Sequence, residues 1–192
     1  MMSKIFICSD LHFNHDRQFV WGARGFNSVE EMNEAIIERH NNVVNPEDEV
    51  YICGDLCLGG GVEGITARNQ ALIERLNGHI HIVLGNHDTP ARIEMYRFCK
   101  NVVEVCYATM IHYRGYHFFL SHYPCMTANL EKESLKQCTI NLFGHTHQTK
   151  NFYNDIPFLY HVGMDSHNCT PVLLDDAIEE MKNKVQECKE QL

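Results

Sequence analysis

The chain has 192 residues, of which 44% are hydrophobic and 21% charged, and a formal net charge of -9. That length suits one domain with a full core, and the acidic balance argues against an extended nucleic-acid surface, which relies on Lys and Arg neutralising phosphates. Nine cysteines are scattered without a CxxC pair, Cys53 and Cys57 coming closest, so buried reduced thiols in a cytoplasmic protein are expected over a disulfide framework or a thiolate zinc site.

The opening run MMSKIFICSD is too short for a signal-peptide core, and no stretch approaches a membrane span. Residues 4–8 (KIFIC) read as the first buried strand. A helix is predicted over SVEEMNEAIIERHNNVV, where Ser28 and Glu31 have capping-box spacing and Met32, Ala35 and Ile36 fall on one face. Residues 49–53 (EVYIC) form the second predicted strand, followed by a helical stretch ending at LIERLNG with Gly78 as its stop. Residues 80–84 form the third. This alternation implies parallel crossovers and an α/β fold.

The second half reads differently. Residues 102–122 (VVEVCYATMIHYRGYHFFLSH) suggest two strands around an Arg114-Gly115 turn. A helical segment around residues 128–137 is expected next, then strands at TINLF and near PFLYHVG. The terminal DDAIEEMKNKVQECKEQL reads as an amphipathic helix with Ile178, Met181 and Val185 as its stripe. No repeat or linker interrupts this, so residues 1–192 are expected to be one domain.

Every polar constellation follows an apolar run directly. Asp10-Leu-His12 follows the first, Gly54-Asp55 the second and Gly85-Asn86-His87-Asp88 the third. Ser121-His122 and Gly144-His145-Thr146-His147 follow the later ones. Ligands of open α/β sheets bind outside the carboxyl ends of strands, so these five ends are expected to converge. In extended chain the i, i+2 pairs Asp10/His12 and His145/His147 would each point to one side, and glycines 54, 85 and 144 would let the backbone turn sharply. Asp, Asn and His donors without thiolate suit borderline divalent ions, Mn first, with Fe, Zn or Ni as alternatives. Partial charge neutralisation at such ions would attract an anionic substrate such as a phosphate.

In order, these motifs match D-x-H, GD, GNH(D/E), a later H and GHxH, and the chain resembles the calcineurin-like metallophosphoesterases, in particular small prokaryotic and phage members. The resemblance implies a four-layer α/β/β/α sandwich of two mixed sheets flanked by helices. It implies two divalent metal ions, the first held by Asp10, His12 and His147 and the second by Asn86, His122 and His145, with Asp55 bridging both. It also implies phosphate-ester hydrolysis by in-line attack of a metal-bridging hydroxide, with His87 assisting the leaving group and Asp88 orienting His87. The chain departs from relatives carrying GDxxD(R), since the run here is GDLCL, and Pro90 stands where protein phosphatases place an Arg. The cation that grips phosphate is therefore unassigned, with Arg24 and Arg92 as candidates and His15 as a substrate-facing neighbour.

A phosphodiesterase is the leading reading, its substrate a phosphate ester, with a nucleotide as one candidate. The alternatives are a phosphomonoesterase, either a nucleotidase or a protein phosphatase, and a metal-bound scaffold without turnover. The remaining histidines (His40, His79, His81, His112, His117, His161 and His167) are expected to be structural or to lie on the surface.

Overall fold

The computed structural model describes residues 3–59, 64–127 and 134–190. Strand β1 (Ile5–Cys8) lies between β2 (Glu49–Cys53) and the short β9 (Val172–Leu173), and β3 (His79–Val83) and β4 (Val102–Cys106) extend the sheet in the order β4-β3-β2-β1-β9. Strands β1 to β4 are parallel, with Ile5 opposite Glu49 and Val50 opposite Ile80, while β9 runs antiparallel. The second sheet has the order β5-β6-β7-β8, formed by β5 (Thr109–Tyr113), β6 (Tyr116–Leu120), β7 (Thr139–Phe143) and β8 (Leu159–His161). Its first pair is antiparallel and the others are parallel. The expected architecture of two mixed sheets with helices is what the chain forms.

Strand alternation separates two cores. Phe6, Cys8, Val50, Ile52, Ile80 and Ile82 pack with Met32, Ile36, Ile73, Met95 and Tyr96 from the helices on one face. Those helices are α2 (Val29–Val43), α3 (Ile65–Ile73) and α4 (Pro90–Phe98). Ile7, Cys53 and Val83 face the other way, onto Phe118, Leu120, Ile140 and Leu142 of the second sheet. Helix α5 (Leu174–Glu190) closes this second core with Ile178 and Met181, and Val185 packs at its edge. None of the helices is long and apolar enough to cross a membrane, among the described residues. Cys8, Cys53, Cys57 and Cys99 are buried thiols.

Local signals explain most boundaries. Ser28 accepts from the Glu31 backbone N–H at 3.1 Å as the N-cap of α2, while the Glu31 carboxylate reaches back to the Asn27 N–H. Helix α3 stops at Ile73, earlier than LIERLNG suggested, and the chain tightens into i→i−3 turns at Arg75 and Leu76 before Gly78. Two elements differ from the sequence reading. Val102–Cys106 is an edge strand parallel to β3 rather than half of the hairpin; the hairpin is β5–β6, with Tyr113 opposite Tyr116. Helix α4, unread in the sequence, starts with Pro90 at its first turn and supplies the crossover between β3 and β4. The helix expected around residues 128–137 lies outside the described residues up to 133, and 135–138 form a turn and bend.

One buried histidine sets an acid limit on stability. His40, at the end of α2, is fully buried, and its Nε2 donates to the Asn77 carbonyl at 2.9 Å. Burial lowers its pKa from 6.5 to about 4, the Asn77 bond opposing only in part. Since the folded value is depressed, the unfolded chain binds a proton that the folded chain refuses. Stability should therefore fall as pH drops from 6.5 towards 4, by about 3 kcal/mol from this group. Urea midpoints of wild type and His40→Asn between pH 7.5 and 4.5 check this. The variant should lose that part of the slope, and parallel curves would refute it.

Candidate metal centre

The loops after β1 and β2 zip together: the Asp10, His12 and Phe13 amides donate to the Gly54, Asp55 and Leu56 carbonyls at 3.0, 3.1 and 3.0 Å. Ser9 also bridges to Gly163 after β8, which joins the two sheets at this edge. All five motif-bearing strand ends meet here, three from the first sheet and two from the second.

Asp10, His12 and His147 form one donor set, and Asp10, Asp55 and His122 an adjoining one, the ligand atoms of each lying within 4.8 Å of one another. Asp10 Oδ1 is 3.8 Å from His12 Nε2 and 3.9 Å from His147 Nε2, and those two nitrogens are 3.2 Å apart. Asn86 Oδ1 faces His122 Nε2 at 2.9 Å and His145 Nδ1 at 2.8 Å, while Asp55 Oδ2 is 3.4 Å from His122 Nε2. The residues suit divalent ions on a specific observation: Asp10 Oδ1 is buried with no hydrogen-bond partner. A buried carboxylate oxygen without a donor is costly unless a cation completes it. Burial holds His12 down to about pKa 2, with His147 and Arg24 adding to the effect, so its imidazole is neutral and has a lone pair to offer. Burial likewise raises Asp10 above the usual carboxylate range.

The backbone reason for the clustering differs from the expected one. Asp10, His12, Asp55, His145 and His147 have φ values of 58°, 53°, 54°, 66° and 48°, in the left-handed region rather than extended. His145 and His147 accordingly part company, His145 going to Asn86 and His147 to His12. Left-handed backbone at non-glycine residues costs on the order of 1–3 kcal/mol each and gathers at functional sites. The glycines also act differently. Gly54 turns with φ 94°. Gly85 and Gly144 need no such turn, but a Cβ would collide with the Asp55 carboxylate at the first and with Ser9 and Asp10 at the second.

His87 is held by its backbone N–H to Asp55 Oδ1 at 2.9 Å, and its half-exposed ring has Nε2 4.0 Å from Asp55 Oδ2. Asp88, expected to orient His87, is engaged elsewhere. Its Oδ2 accepts from the Gly85 and Asp55 amides at 2.7 and 3.1 Å, and its Oδ1 from the Tyr96 hydroxyl at 2.7 Å. It braces the loops that carry Asp55 and Asn86.

Neither arginine candidate is free to grip phosphate. Arg24 is buried to 1% exposure and paired with Asp165 through Nε and Nη2 at 3.0 and 3.1 Å. It also donates to the Leu11 and Asp10 carbonyls at 3.2 and 2.7 Å. Arg92 donates to the carbonyls of His87 and Gly59. His15 sits beside the centre, its ring edge-on to that of His12 at 5.3 Å. Asp165 was not anticipated. Its Oδ2 lies 2.8 Å from His147 Nδ1, which fixes that ring with Nε2 towards His12. Burial works against it, yet the bonds from His147 and Arg24 hold Asp165 well below the ordinary carboxylate range. No spacing in the sequence announces it; it follows β8 in an irregular stretch.

The model of the calcineurin-like phosphoesterase superfamily domain matches residues 2–164. An uncharacterized protein of Methanocaldococcus jannaschii is 34% identical over 183 residues, covering 91% of this chain and 89% of its own. Among solved structures, a protein of unknown function from Aquifex aeolicus superimposes with a TM-score of 0.70 at 19% identity, covering 93% of this chain and 99% of its own.

Proposed function

Because the chain belongs to the calcineurin-like phosphoesterase superfamily, we propose that it hydrolyses phosphodiesters at a centre for two divalent ions. Residues 1–192 would act as one domain. Asp10, His12 and His147 would hold one ion, and Asn86, His122 and His145 the other, with Asp55 shared. The observation that supports a two-ion centre most is the pair of adjoining donor sets around the buried, unpaired Oδ1 of Asp10, with Asp55 in the second set beside His122. When bound, two such ions, Mn2+ in the first instance, supply an acidified water and a positive clamp on the phosphoryl oxygens.

The chain's own residues do the rest. Asp165 sets the ring of His147, and Asp88 with Tyr96 steadies the backbone at Asp55 and Gly85. The Asp55 carboxylate fixes the His87 amide, leaving the ring half exposed at the rim to give a proton to the departing oxygen. With His147 at 42% exposure and His87 at 45%, the rim is open to an ester with two substituents.

His87→Ala tests the proton-transfer role. On a diester with an alkyl leaving group kcat should fall about a hundredfold to a thousandfold, with bound metal unchanged. On bis-(4-nitrophenyl) phosphate, whose leaving group departs without a proton, the loss should be much smaller. Equal losses would assign His87 to charge stabilisation instead. Faster hydrolysis of mono-4-nitrophenyl phosphate would reverse the diester preference, and no turnover of any phosphate ester by Mn2+-loaded protein would sink the enzyme reading.

A further inference from the structure

We propose that the cavity beside His15 and Phe19 is the leaving-group pocket of this centre, shaped for an uncharged alcohol that carries a flat heteroaromatic ring, as a nucleoside does. The proposal rests on the phosphodiesterase reading and adds to it the chemistry of one arm of the substrate. The cavity measures about 540 Å³ and is walled by His15, Phe19, Val29, Leu58, Ile65 and Arg68. That is ample for a ligand of this size.

Three observations tie the cavity to the leaving side. The His15 ring stands between the centre and the cavity, edge-on to His12 at 5.3 Å and to Phe19 at 5.6 Å. His87, the proposed proton donor, packs edge-on against the same His12 ring at 5.8 Å, so the donor and the cavity-lining His15 flank one ring. Arg92 then binds the carbonyls of both His87 and Gly59, and Gly59 lines the cavity. The loop carrying the acid is thereby fastened to the pocket that would receive the alcohol.

The lining selects the ligand. Phe19, on the one-turn helix α1 (Gln18–Trp21), is 74% exposed, and with His15 it offers two aromatic surfaces for stacking. Val29, Leu58 and Ile65 supply apolar walls, and Arg68 makes no ion pair among the described residues, leaving its guanidinium plane for a heteroaromatic face or edge. Asp16 and Glu30 balance Arg17 and Arg68 on the same lining, Arg17 pairing with Asp16 at 3.8 Å, so the cavity has no net positive charge to hold a second phosphate on this arm. Asn14 is not available to a ligand, because its amide is spent on Asn33 and Asn69 at 2.9 and 2.6 Å. A second cavity, of about 520 Å³, begins at His147 and runs past Lys150 and Phe152. His147 stacks on His12 at 5.0 Å, so the run His15–His12–His147 has a cavity at each end. A diester has two organic arms to place, and a monoester one.

Mn2+-loaded wild type, Phe19→Ala, Phe19→Trp and Phe98→Ala, the last removing an exposed ring elsewhere, decide the matter. On bis-(4-nitrophenyl) phosphate, Phe19→Ala should raise KM about tenfold and alter kcat less, and Phe19→Trp should restore KM. Adenosine should inhibit wild type competitively, with glycerol inert, and its inhibition constant should weaken about tenfold in Phe19→Ala and stay unchanged in Phe98→Ala. Unchanged KM and unchanged adenosine inhibition in Phe19→Ala would overturn the pocket while leaving the phosphodiesterase reading intact. If wild type hydrolyses no ester, that reading falls, and calorimetric titration of adenosine into wild type and Phe19→Ala still decides the pocket: Phe19-dependent binding supports it, and absence of binding refutes it.

Discussion

Replacing Asp55 by Asn should lower kcat/KM on a phosphodiester by about a thousandfold or more and release metal from the purified protein. Asp55 is 2% exposed, its carboxylate forms one donor set with Asp10 and His122, and its Oδ1 holds the His87 amide. Asn keeps the volume and tolerates the left-handed backbone that Asp55 adopts at φ 54°. What it removes is the charge, and with it the donor proposed to be shared by both ions. Losing several kcal/mol of such stabilisation corresponds to three or more powers of ten in rate. Steady-state kinetics in excess Mn2+ and mass-spectrometric metal analysis read both effects. Activity within tenfold of wild type would remove Asp55 from the centre.

Arg24→Ala should cost about 3–5 kcal/mol of stability and weaken metal binding about tenfold to a hundredfold. The substitution strips a bidentate partner from Asp165, leaving a carboxylate at 15% exposure without its counter-charge. It also frees the Leu11 and Asp10 carbonyls, so the loop carrying Asp10 and His12 loses its brace. Through Asp165 the damage reaches His147, because the carboxylate that anchors its ring loses the guanidinium that positions it. Urea unfolding with a double-mutant cycle checks the cause. If the penalty is an uncompensated buried charge, Arg24→Ala with Asp165→Ala should be less destabilised than the sum of the single variants. Strict additivity would show that the pair is not coupled.

These two residues mark where the sequence is readable and where it is not. Asp55 was legible because Gly54-Asp55 closes an apolar run, and strand ends are where an α/β sheet presents ligands. Arg24 was legible as a charge but not as a buried one. Its role depends on Asp165, 141 residues away in sequence, and the bridge between Ser9 after β1 and Gly163 after β8 brings the two loops together. Asp88 shows the same limit: adjacency to His87 suggests a partner, whereas the fold gives its carboxylate to Tyr96 and two backbone amides. Helix α4 left a usable sign, Pro90 after Thr89, that a start-signal reading could have taken up. The strand at 102–106 could not be told from a hairpin arm, because apolar alternation carries no information about which sheet a strand joins.

The left-handed residues of the metal loops bear on how such a protein can change over time. Glycine and asparagine enter that conformation easily, whereas valine, isoleucine and threonine resist it. At Asp10, His12, Asp55, His145 and His147, then, inheritance is filtered by backbone before it is filtered by chemistry. Glycine or asparagine at these positions would remove a proposed donor while keeping the loop conformation. A β-branched residue there would strain the loop as well as remove the donor.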